Sequence, residues 1–165
     1  GTLNEASLSF DDFIKDAKEV IAYFKNQKKY NKIIIAGHSE GALIGMVAAN
    51  GNADAYISLA GAGRPIDEVL LEQIGKQAPF LKEEVQKNLE ILKSGKTFEN
   101  KNQMLAALFR ESVQPYMISW IKYNPQNEIK KIQIPVLIIN GDKDLQVTVA
   151  DAQALKQAKP DAKFE

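Results

Sequence analysis

The sequence of 165 residues contains no cysteine, a single histidine and no excess of either charge. Without cysteine the chain has no disulfide, no thiolate nucleophile and no cysteine-ligated metal site. The 21 basic and 21 acidic residues balance, and no basic run occurs, which argues against nucleic acid or an anionic membrane surface as a partner. The apolar runs are too short for a transmembrane segment, and no signal-peptide pattern is present. These features therefore do not determine the cellular compartment of the protein.

The remaining composition, 45% hydrophobic and 25% charged, is typical of a globular domain, and a chain of this length can bury a sizeable core. The chain opens on Gly1-Thr2 without an initiator Met, and it stops at Glu165 where an apolar strand is starting. We therefore expect the middle part of a longer protein.

Residues 33–47 form an apolar, β-branched run that breaks into Gly37-His38-Ser39-Glu40-Gly41 and continues as an apolar helix pattern. This pattern is typical of a nucleophile elbow, in which a strained strand-to-helix turn exposes a serine hydroxyl. A Cβ at Gly37 or Gly41 is expected to collide with the neighbouring strand or helix. The N–H of Glu40, at the start of the helix, is expected to face a developing oxyanion. The alternative is a structural turn that happens to hold a serine.

In a triad of serine, histidine and acid, an imidazole takes the proton of the serine. The only histidine of this sequence is His38, the immediate neighbour of Ser39. Adjacent side chains diverge on a tight elbow, so we expect the His38 ring to point away from the serine oxygen and to serve in packing. Either the base lies outside these residues, or the chain is not a working hydrolase.

Alternating patterns predict an α/β fold with a parallel sheet. A one-sided helix is predicted from about Asp11 to Lys28 with Ser9 as its cap, and the helix after the elbow is expected to approach the sheet through small residues and to stop at Asn50-Gly51. Three strands are predicted: Lys32–Ala36, Ala55–Ala60 and Pro135–Asn140. The glycine-rich stretch 61–65 lacks a complete phosphate-binding motif, and it is interpreted as a turn that lines the pocket.

Residues 66–118 show helical patterns only, which predicts a lid or cap inserted between two strands. The expected division is a core at 1–63, a helical cap at 64–118 and a second core part at 119–165. A further helix carries Tyr116, Trp120 and Tyr123. Its aromatic side chains are expected to pack on the sheet, with contact between Trp120 and substrate as the alternative.

The last predicted strand is followed by the loop Gly141-Asp142-Lys143-Asp144-Leu145-Gln146-Val147. A carboxylate just past a parallel strand is where a triad acid orients a histidine from a later loop. We expect Ser39 and this acid at the carboxyl ends of neighbouring strands. Asp142 is the second candidate for the acid, with a turn residue that bonds its own backbone as its structural alternative.

The elbow, the helical insertion and the acid loop together resemble a bacterial α/β-hydrolase of the serine aminopeptidase and esterase-like group. The acid loop of that family, Gly-x-x-Asp-x-x-Val, falls on Gly141, Asp144 and Val147, which makes Asp144 the acid. The resemblance implies a partial α/β-hydrolase fold, a small-molecule acyl substrate and no metal or organic cofactor.

The resemblance also implies missing parts. The family carries a catalytic histidine and a second oxyanion N–H in segments that this sequence lacks, so the 165 residues alone are expected to be inactive. The expected activity of the whole protein is hydrolysis of an ester, thioester or amide, with Ser39, Asp144 and the N–H of Glu40 in the reaction. A noncatalytic binding module on the same fold is the alternative. Dehalogenase chemistry fits less well, because those enzymes place an aspartate at the elbow.

Overall fold

The computed structural model describes residues 4–165, which form a four-stranded parallel sheet, eight α-helices and four short 3-10 helices. The strands are β1 (Ile34–His38), β2 (Ala55–Leu59), β3 (Val136–Ile139) and β4 (Lys163–Phe164). The α-helices are α1 (Phe10–Asn26), α2 (Glu40–Ala49), α3 (Ile66–Gln77), α4 (Lys82–Lys93), α5 (Ala106–Phe109), α6 (Gln114–Ile121), α7 (Pro125–Lys131) and α8 (Val149–Ala158). The 3-10 helices are Glu5–Ser7, Pro79–Leu81, Gln103–Leu105 and Glu111–Val113. Within these residues no helix is both long and apolar enough to cross a membrane.

The chain divides into two compact units. The sheet unit comprises Phe13–Arg64 and Asn124–Glu165, and the helical unit comprises Pro65–Tyr123 with the residues up to Asp12. The helical pattern at 64–118 thus falls almost wholly into one unit. Its role as a cap over substrate stays a prediction.

The sheet has the order β1-β2-β3-β4, and every neighbouring pair is parallel. β1 begins two residues later than the sequence pattern predicts, because the N–H of Ile33 donates to the Asp54 carboxylate at 2.7 Å instead of joining the ladder. It also continues to His38, which pairs with Leu59. The sequence therefore predicts each of the three longer strands, with errors of one or two residues at their ends.

Helix α1 begins at Phe10, one residue before the expected position. The Ser9 hydroxyl accepts the N–H of Asp12 at 3.2 Å, and the Asp12 carboxylate accepts the Ser9 N–H at 2.8 Å. These reciprocal bonds form a capping box, which satisfies donors at the helix start. The predicted cap at Ser9 is confirmed.

Helix α2 approaches the sheet closely because its facing side chains are small. A Cβ added at Gly45 would lie 3.1 Å from Cγ2 of Ile35 and 3.5 Å from Cε2 of Tyr56, so the glycine brings the helix backbone close to β1 and β2. Ala48 and Ala49 in the same helix are fully buried. The close approach predicted from the small residues is confirmed.

The opposite face of the sheet is apolar but partly open. Ile34 is 54% exposed and Ile139 is 36% exposed, and Ile57 and Leu137 between them are only half-buried. Parallel sheets bury apolar side chains on both faces as a rule. This face is therefore less covered by residues 4–165 than its composition demands.

The helical unit has its own hydrophobic core. Its buried members are Leu81, Val85, Leu89, Leu92, Leu105, Phe109, Met117 and Ile121. The buried amide of Gln114 holds the irregular chain between α4 and α5 on this core: its nitrogen donates to the carbonyls of Phe98 and Phe109, and its oxygen accepts the Phe98 N–H. These hydrogen bonds offset the cost of removing the amide from water.

The aromatic side chains of α6 and of the residues just after it pack around Phe10. The expectation that they pack on the sheet is wrong. Phe10 is fully buried and stacks on Trp120 with a centroid distance of 5.4 Å, and Tyr116 and Tyr123 lie at 6.0 and 5.3 Å from it. The N–H of Phe10 also donates to the Ser119 hydroxyl at 2.7 Å. This bond fixes the start of α1 beside α6.

Replacing Phe10 by Ala should therefore destabilise the helical unit by about 3–5 kcal/mol, because a stacked and fully buried ring is lost. Urea unfolding followed by Trp120 fluorescence measures the effect directly. The matched control is Phe80→Ala, since Phe80 is 73% exposed, and it should change the unfolding free energy by less than about 0.5 kcal/mol. Equal unfolding midpoints for the two variants would contradict the importance of this cluster.

Candidate active site

Ser39 lies at the turn between β1 and α2 in a strained backbone conformation. Its φ is 53° and its ψ is −119°, a region that residues with a side chain rarely adopt. Such a conformation costs about 1–3 kcal/mol and persists only where the surrounding structure imposes it. The structure thus contains the strained turn that the sequence motif predicts.

The two glycines of the motif differ in what they contribute. A Cβ on Gly37 would lie 2.1 Å from the carbonyl oxygen of Gly41 and 2.7 Å from the Cα of Ala42, so no side chain fits there. A Cβ on Gly41 would meet nothing within 4 Å. The expectation of a steric collision at Gly41 is therefore wrong. Gly41 contributes its backbone, which lies directly against Gly37.

Hydrogen bonds from β2 hold the elbow on both sides of the serine. The N–H of Ser39 donates to the carbonyl of Leu59 at 3.0 Å, which fixes the start of the turn. The hydroxyl of Tyr56 donates to the carbonyl of Ala42 at 2.6 Å, which fixes the first turn of α2. Burial raises the pKa of Tyr56, so its hydroxyl stays a donor at neutral pH. Glu40 is the first residue of α2, where N–H groups lack intrahelical acceptors.

His38 lies at the carboxyl end of β1 and is exposed. Among residues 4–165 its imidazole ring makes no hydrogen bond with Ser39 or with any other residue. The expectation that it serves in packing is wrong for the described residues, because its ring has little cover. Nothing in this geometry gives it the role of a base toward Ser39.

Asp144 lies in the loop after β3 with its carboxylate held by the backbone. Its Oδ1 accepts the N–H groups of Gln146 at 2.8 Å and Val147 at 3.0 Å. The N–H groups of Val147 and Gln146 lower the pKa of the carboxyl, and the nearby His38 lowers it further, so Asp144 is ionised at neutral pH. Asp142 is exposed. The turn-type bonding expected as the structural alternative for Asp142 is thus made by Asp144.

The side chain of Asn140 closes the loop that carries Asp144. Its amide nitrogen donates to the carbonyls of Gly141 and Val147, both at 3.1 Å, so it joins the beginning and the end of the loop. Val147 is buried, whereas Leu145 at the tip is 93% exposed. The ends of the loop are therefore fixed even though its tip faces solvent.

Ser39 and Asp144 follow two parallel strands at the same edge of the sheet, but these strands are not neighbours. β2 lies between β1 and β3, so the expectation of adjacent strands is wrong. The reason is topological: the connection through α2 places β2 beside β1, and β3 then pairs with the free side of β2. With parallel strands spaced about 4.8 Å apart, the two strand ends lie roughly 10 Å from each other.

The turn after β2 makes contacts that sequence reasoning missed. The Arg64 guanidinium forms an ion pair with the buried Asp151 carboxylate, with Nε 2.9 Å from Oδ1 and Nη2 3.0 Å from Oδ2. The Thr-x-x-Asp spacing of Thr148 and Asp151 is a capping-box signature that could have drawn attention to Asp151. Nothing local in the sequence marks Arg64 as its partner. Among residues 4–165, no group of three or more His, Asp and Glu side chains is placed to hold a metal ion.

The contrast between the two elbow glycines gives a matched test. Gly37→Ala should cost about 3 kcal/mol or more or prevent folding, because its methyl group collides with backbone that cannot move aside. Gly41→Ala should be neutral or stabilising by up to about 1 kcal/mol, since alanine favours the helix and the space is open. Urea unfolding of both variants provides the measurement. A Gly37→Ala variant as stable as Gly41→Ala would refute the backbone contact described above.

Known proteins share this architecture. A model of the family described as serine aminopeptidase, S33, matches residues 5–164. The esterase EstD of Thermotoga maritima is 27% identical over 153 residues, which are 86% of this chain and 34% of that protein. Est1E from Butyrivibrio proteoclasticus has a TM-score of 0.62 at 19% identity, over 96% of this chain and 60% of its own. A lipase-esterase related protein from Clostridium acetobutylicum has a TM-score of 0.58 at 16% identity, over 100% of this chain and 68% of its own.

The chain thus spans about a third of the curated relative, 34% of its length. The family match, in contrast, covers nearly all of the 165 residues, and the solved structures share the α/β-hydrolase fold. This chain belongs to the serine aminopeptidase S33 family of the α/β-hydrolase superfamily.

Proposed function

We propose that Ser39 is the nucleophile of a serine hydrolase that cleaves an ester, thioester or amide through an acyl-enzyme. The Ser39 oxygen attacks the acyl carbon while an imidazole takes its proton, and the imidazole then returns the proton to the departing alcohol, thiol or amine. Water, deprotonated by the same imidazole, releases the acyl group as an acid. Asp144 orients the imidazole, and the N–H of Glu40 stabilises the oxyanion.

The observation that carries this proposal is the backbone of Ser39. A serine that only closed a turn could adopt a relaxed conformation, yet this one is held at φ 53° and ψ −119° between two pinned elements. Strain of this kind occurs preferentially at functional sites, because it is maintained only where it has a use. In a nucleophile elbow, a conformation of this kind exposes the serine hydroxyl above the strand and the helix.

Asp144 supports the same proposal through its position and charge. Its carboxylate is ionised and held by two N–H groups, so it needs no reorganisation to bind an imidazolium. The strand ends that carry Ser39 and Asp144 lie roughly 10 Å apart, as two strand spacings require. An imidazole can bridge such a gap with one nitrogen toward each partner.

On this proposal the imidazole comes from outside these 165 residues, because His38, the only histidine among them, makes no hydrogen bond to Ser39 within the described part of the chain. We propose that a longer polypeptide supplies it, together with the second oxyanion donor. The length of EstD, of which this chain covers 34%, supports this view. The partly open apolar face of the sheet supports it independently, because further chain is needed to cover it.

This proposal does not specify the acyl group of the substrate. The solved structures of similar fold include Est816, described as an N-acyl homoserine lactone degrading enzyme, and Est1E with ferulic acid bound. These two proteins share a fold while their printed ligands differ. Fold similarity at 18–20% identity therefore does not choose a substrate.

A second candidate function is that of a noncatalytic binding module with an incomplete triad. The absence of a histidine placed to activate Ser39 in residues 4–165 favours it. In such a module the elbow and the loop after β3 would shape a ligand pocket without chemistry. The two functions differ in whether Ser39 reacts.

In the full-length polypeptide that contains this sequence, we expect turnover of p-nitrophenyl acetate and labelling of Ser39 by a fluorophosphonate. Ser39→Ala should abolish both, because the nucleophile is lost. Asp144→Asn should lower turnover by about four orders of magnitude, since the imidazole loses its orientation and the stabilisation of its charge. The 165 residues alone should show negligible turnover, as they lack the base and a second oxyanion donor that is worth about a hundredfold in rate.

The matched control is Asp142→Asn, which makes the same change two residues away in the same loop and should leave turnover within about twofold. Mass spectrometry of the labelled peptide assigns the reactive serine. A full-length protein that binds small molecules but ignores the fluorophosphonate would establish the binding module instead.

A further inference from the structure

Asp151 in the first turn of α8 is buried, and its carboxylate is fully hydrogen-bonded. Its side chain has no exposed area, yet both carboxylate oxygens are bonded. Oδ1 accepts the N–H of Gly63 at 3.2 Å and Nε of Arg64 at 2.9 Å. Oδ2 accepts Nη2 of Arg64 at 3.0 Å, and the N–H and hydroxyl of Thr148 at 3.3 and 3.2 Å.

A helix cap alone does not explain this arrangement. A capping box needs an acid that reaches the backbone N–H of the cap residue, which an exposed carboxylate does equally well. Burying a carboxylate is costly unless a cation and hydrogen bonds compensate. Burial raises the pKa of Asp151, but the guanidinium of Arg64 and the N–H of Gly63 outweigh it and keep the group ionised. The planar guanidinium binds both oxygens, which fixes direction as well as charge.

The partners of Asp151 come from two different loops. Gly63 and Arg64 belong to the turn after β2, whereas Thr148 directly follows the loop that carries Asp144. The turn after β2 packs directly against the backbone of α8: a Cβ on Gly63 would lie 2.1 Å from the carbonyl oxygen of Asp151. Gln126 of α7 holds the same turn by donating to the Gly63 carbonyl at 2.8 Å. The position of Thr148 is therefore set from outside its own loop.

One residue, Val147, connects the hydrogen bonds at Thr148 with those at Asp144. Val147 precedes Thr148, and its N–H is one of the two that hold the Asp144 carboxylate. The Val147 carbonyl is also bonded by Asn140, so the chain at Val147 and Thr148 is fixed from three directions. If Thr148 moved, the N–H of Val147 would move with it, and the Asp144 carboxylate would lose its direction.

We propose that Arg64 and Asp151 are positioning residues for the acid loop: their ion pair fixes Thr148 and thereby directs the carboxylate of Asp144. The inference rests on the proposed function, in which Asp144 is the acid of the triad. It gives the turn after β2 a role in catalysis without contact with the reacting atoms.

The test is amide hydrogen exchange in Arg64→Met and Arg64→Lys variants of the 165-residue chain. Without the ion pair, the N–H groups of Gln146 and Val147 should exchange about tenfold faster or more, because the loop opens locally. Lysine keeps the charge but not the two-point geometry, so its effect should lie between those of methionine and arginine. Amides of α2, such as that of Met46, serve as the reference for global stability.

The matched control uses the other arginine of the chain. Arg110 pairs with Glu5 through Nε and Nη2 in the helical unit, with side chains 43% and 45% exposed. Arg110→Met should leave exchange at Gln146 and Val147 within about twofold of the original chain, since an exposed pair contributes little. If Arg64→Met fails to fold, Arg64→Lys carries the test.

Exchange at Gln146 and Val147 that rises no more than at Met46 in the folded Arg64 variants would overturn the proposal. In an active full-length protein, Arg64→Lys should lower kcat and leave KM within about twofold, because only the orientation of the acid changes. Faster exchange with unchanged kcat would also overturn it. If the full-length protein has no activity at all, the proposed function fails, and the exchange data still decide whether the ion pair holds the loop.

Discussion

The contact on which the candidate site depends is that between the backbones of Gly37 and Gly41. The carbonyl of Gly41 occupies the space of a Cβ on Gly37, so strand and helix meet with no side chain between them. At this separation the chain must reverse within Ser39 and Glu40, and the strained φ of Ser39 follows from that constraint. The energy that maintains the strain comes from the packing of α2 on the sheet. A serine in this turn is therefore fixed by its surroundings and not by bonds of its own side chain.

Strand β2 links this constraint to the rest of the site. It supports the elbow through Leu59 and Tyr56, and the turn that follows it supports the acid loop through Gly63 and Arg64. The strand lies between β1 and β3, and so between the two side chains to which we assign the chemistry. A central strand that contacts both neighbours can keep their ends at a constant separation. That separation matters, because a triad works only when an imidazole fits between its acid and its nucleophile.

How far the sequence predicts this arrangement depends on how local each feature is. The strands, the cap at Ser9 and the elbow depend on residues close in the chain, and hydrophobic periodicity and glycine spacing are sufficient to predict them. The packing of the aromatic side chains around Phe10 is not predictable from local patterns, because Phe10 lies more than a hundred residues away from them in the sequence. The steric role of Gly41 could not be inferred, since it depends on which side of the glycine faces the strand. The order of β1, β2 and β3 likewise depends on the path of the connections and not on any strand's own residues.

The pairing of Arg64 with Asp151 shows what kind of residue such reasoning misses. Its members are separated by 87 positions, and each has an ordinary local role, one in a turn and the other in a helix cap. Only burial separates them from the many exposed ion pairs of the chain, such as Lys15 with Glu19. In an exposed ion pair, water can replace either partner, so the pair restricts the conformation of the chain little. A buried pair with two hydrogen bonds between a guanidinium and a carboxylate permits a single relative orientation. Thr148 is therefore held by the buried Asp151 carboxylate, although Leu145 three residues earlier is 93% exposed. Rigid ends with an exposed tip let the loop present a carboxylate to a partner without losing its direction.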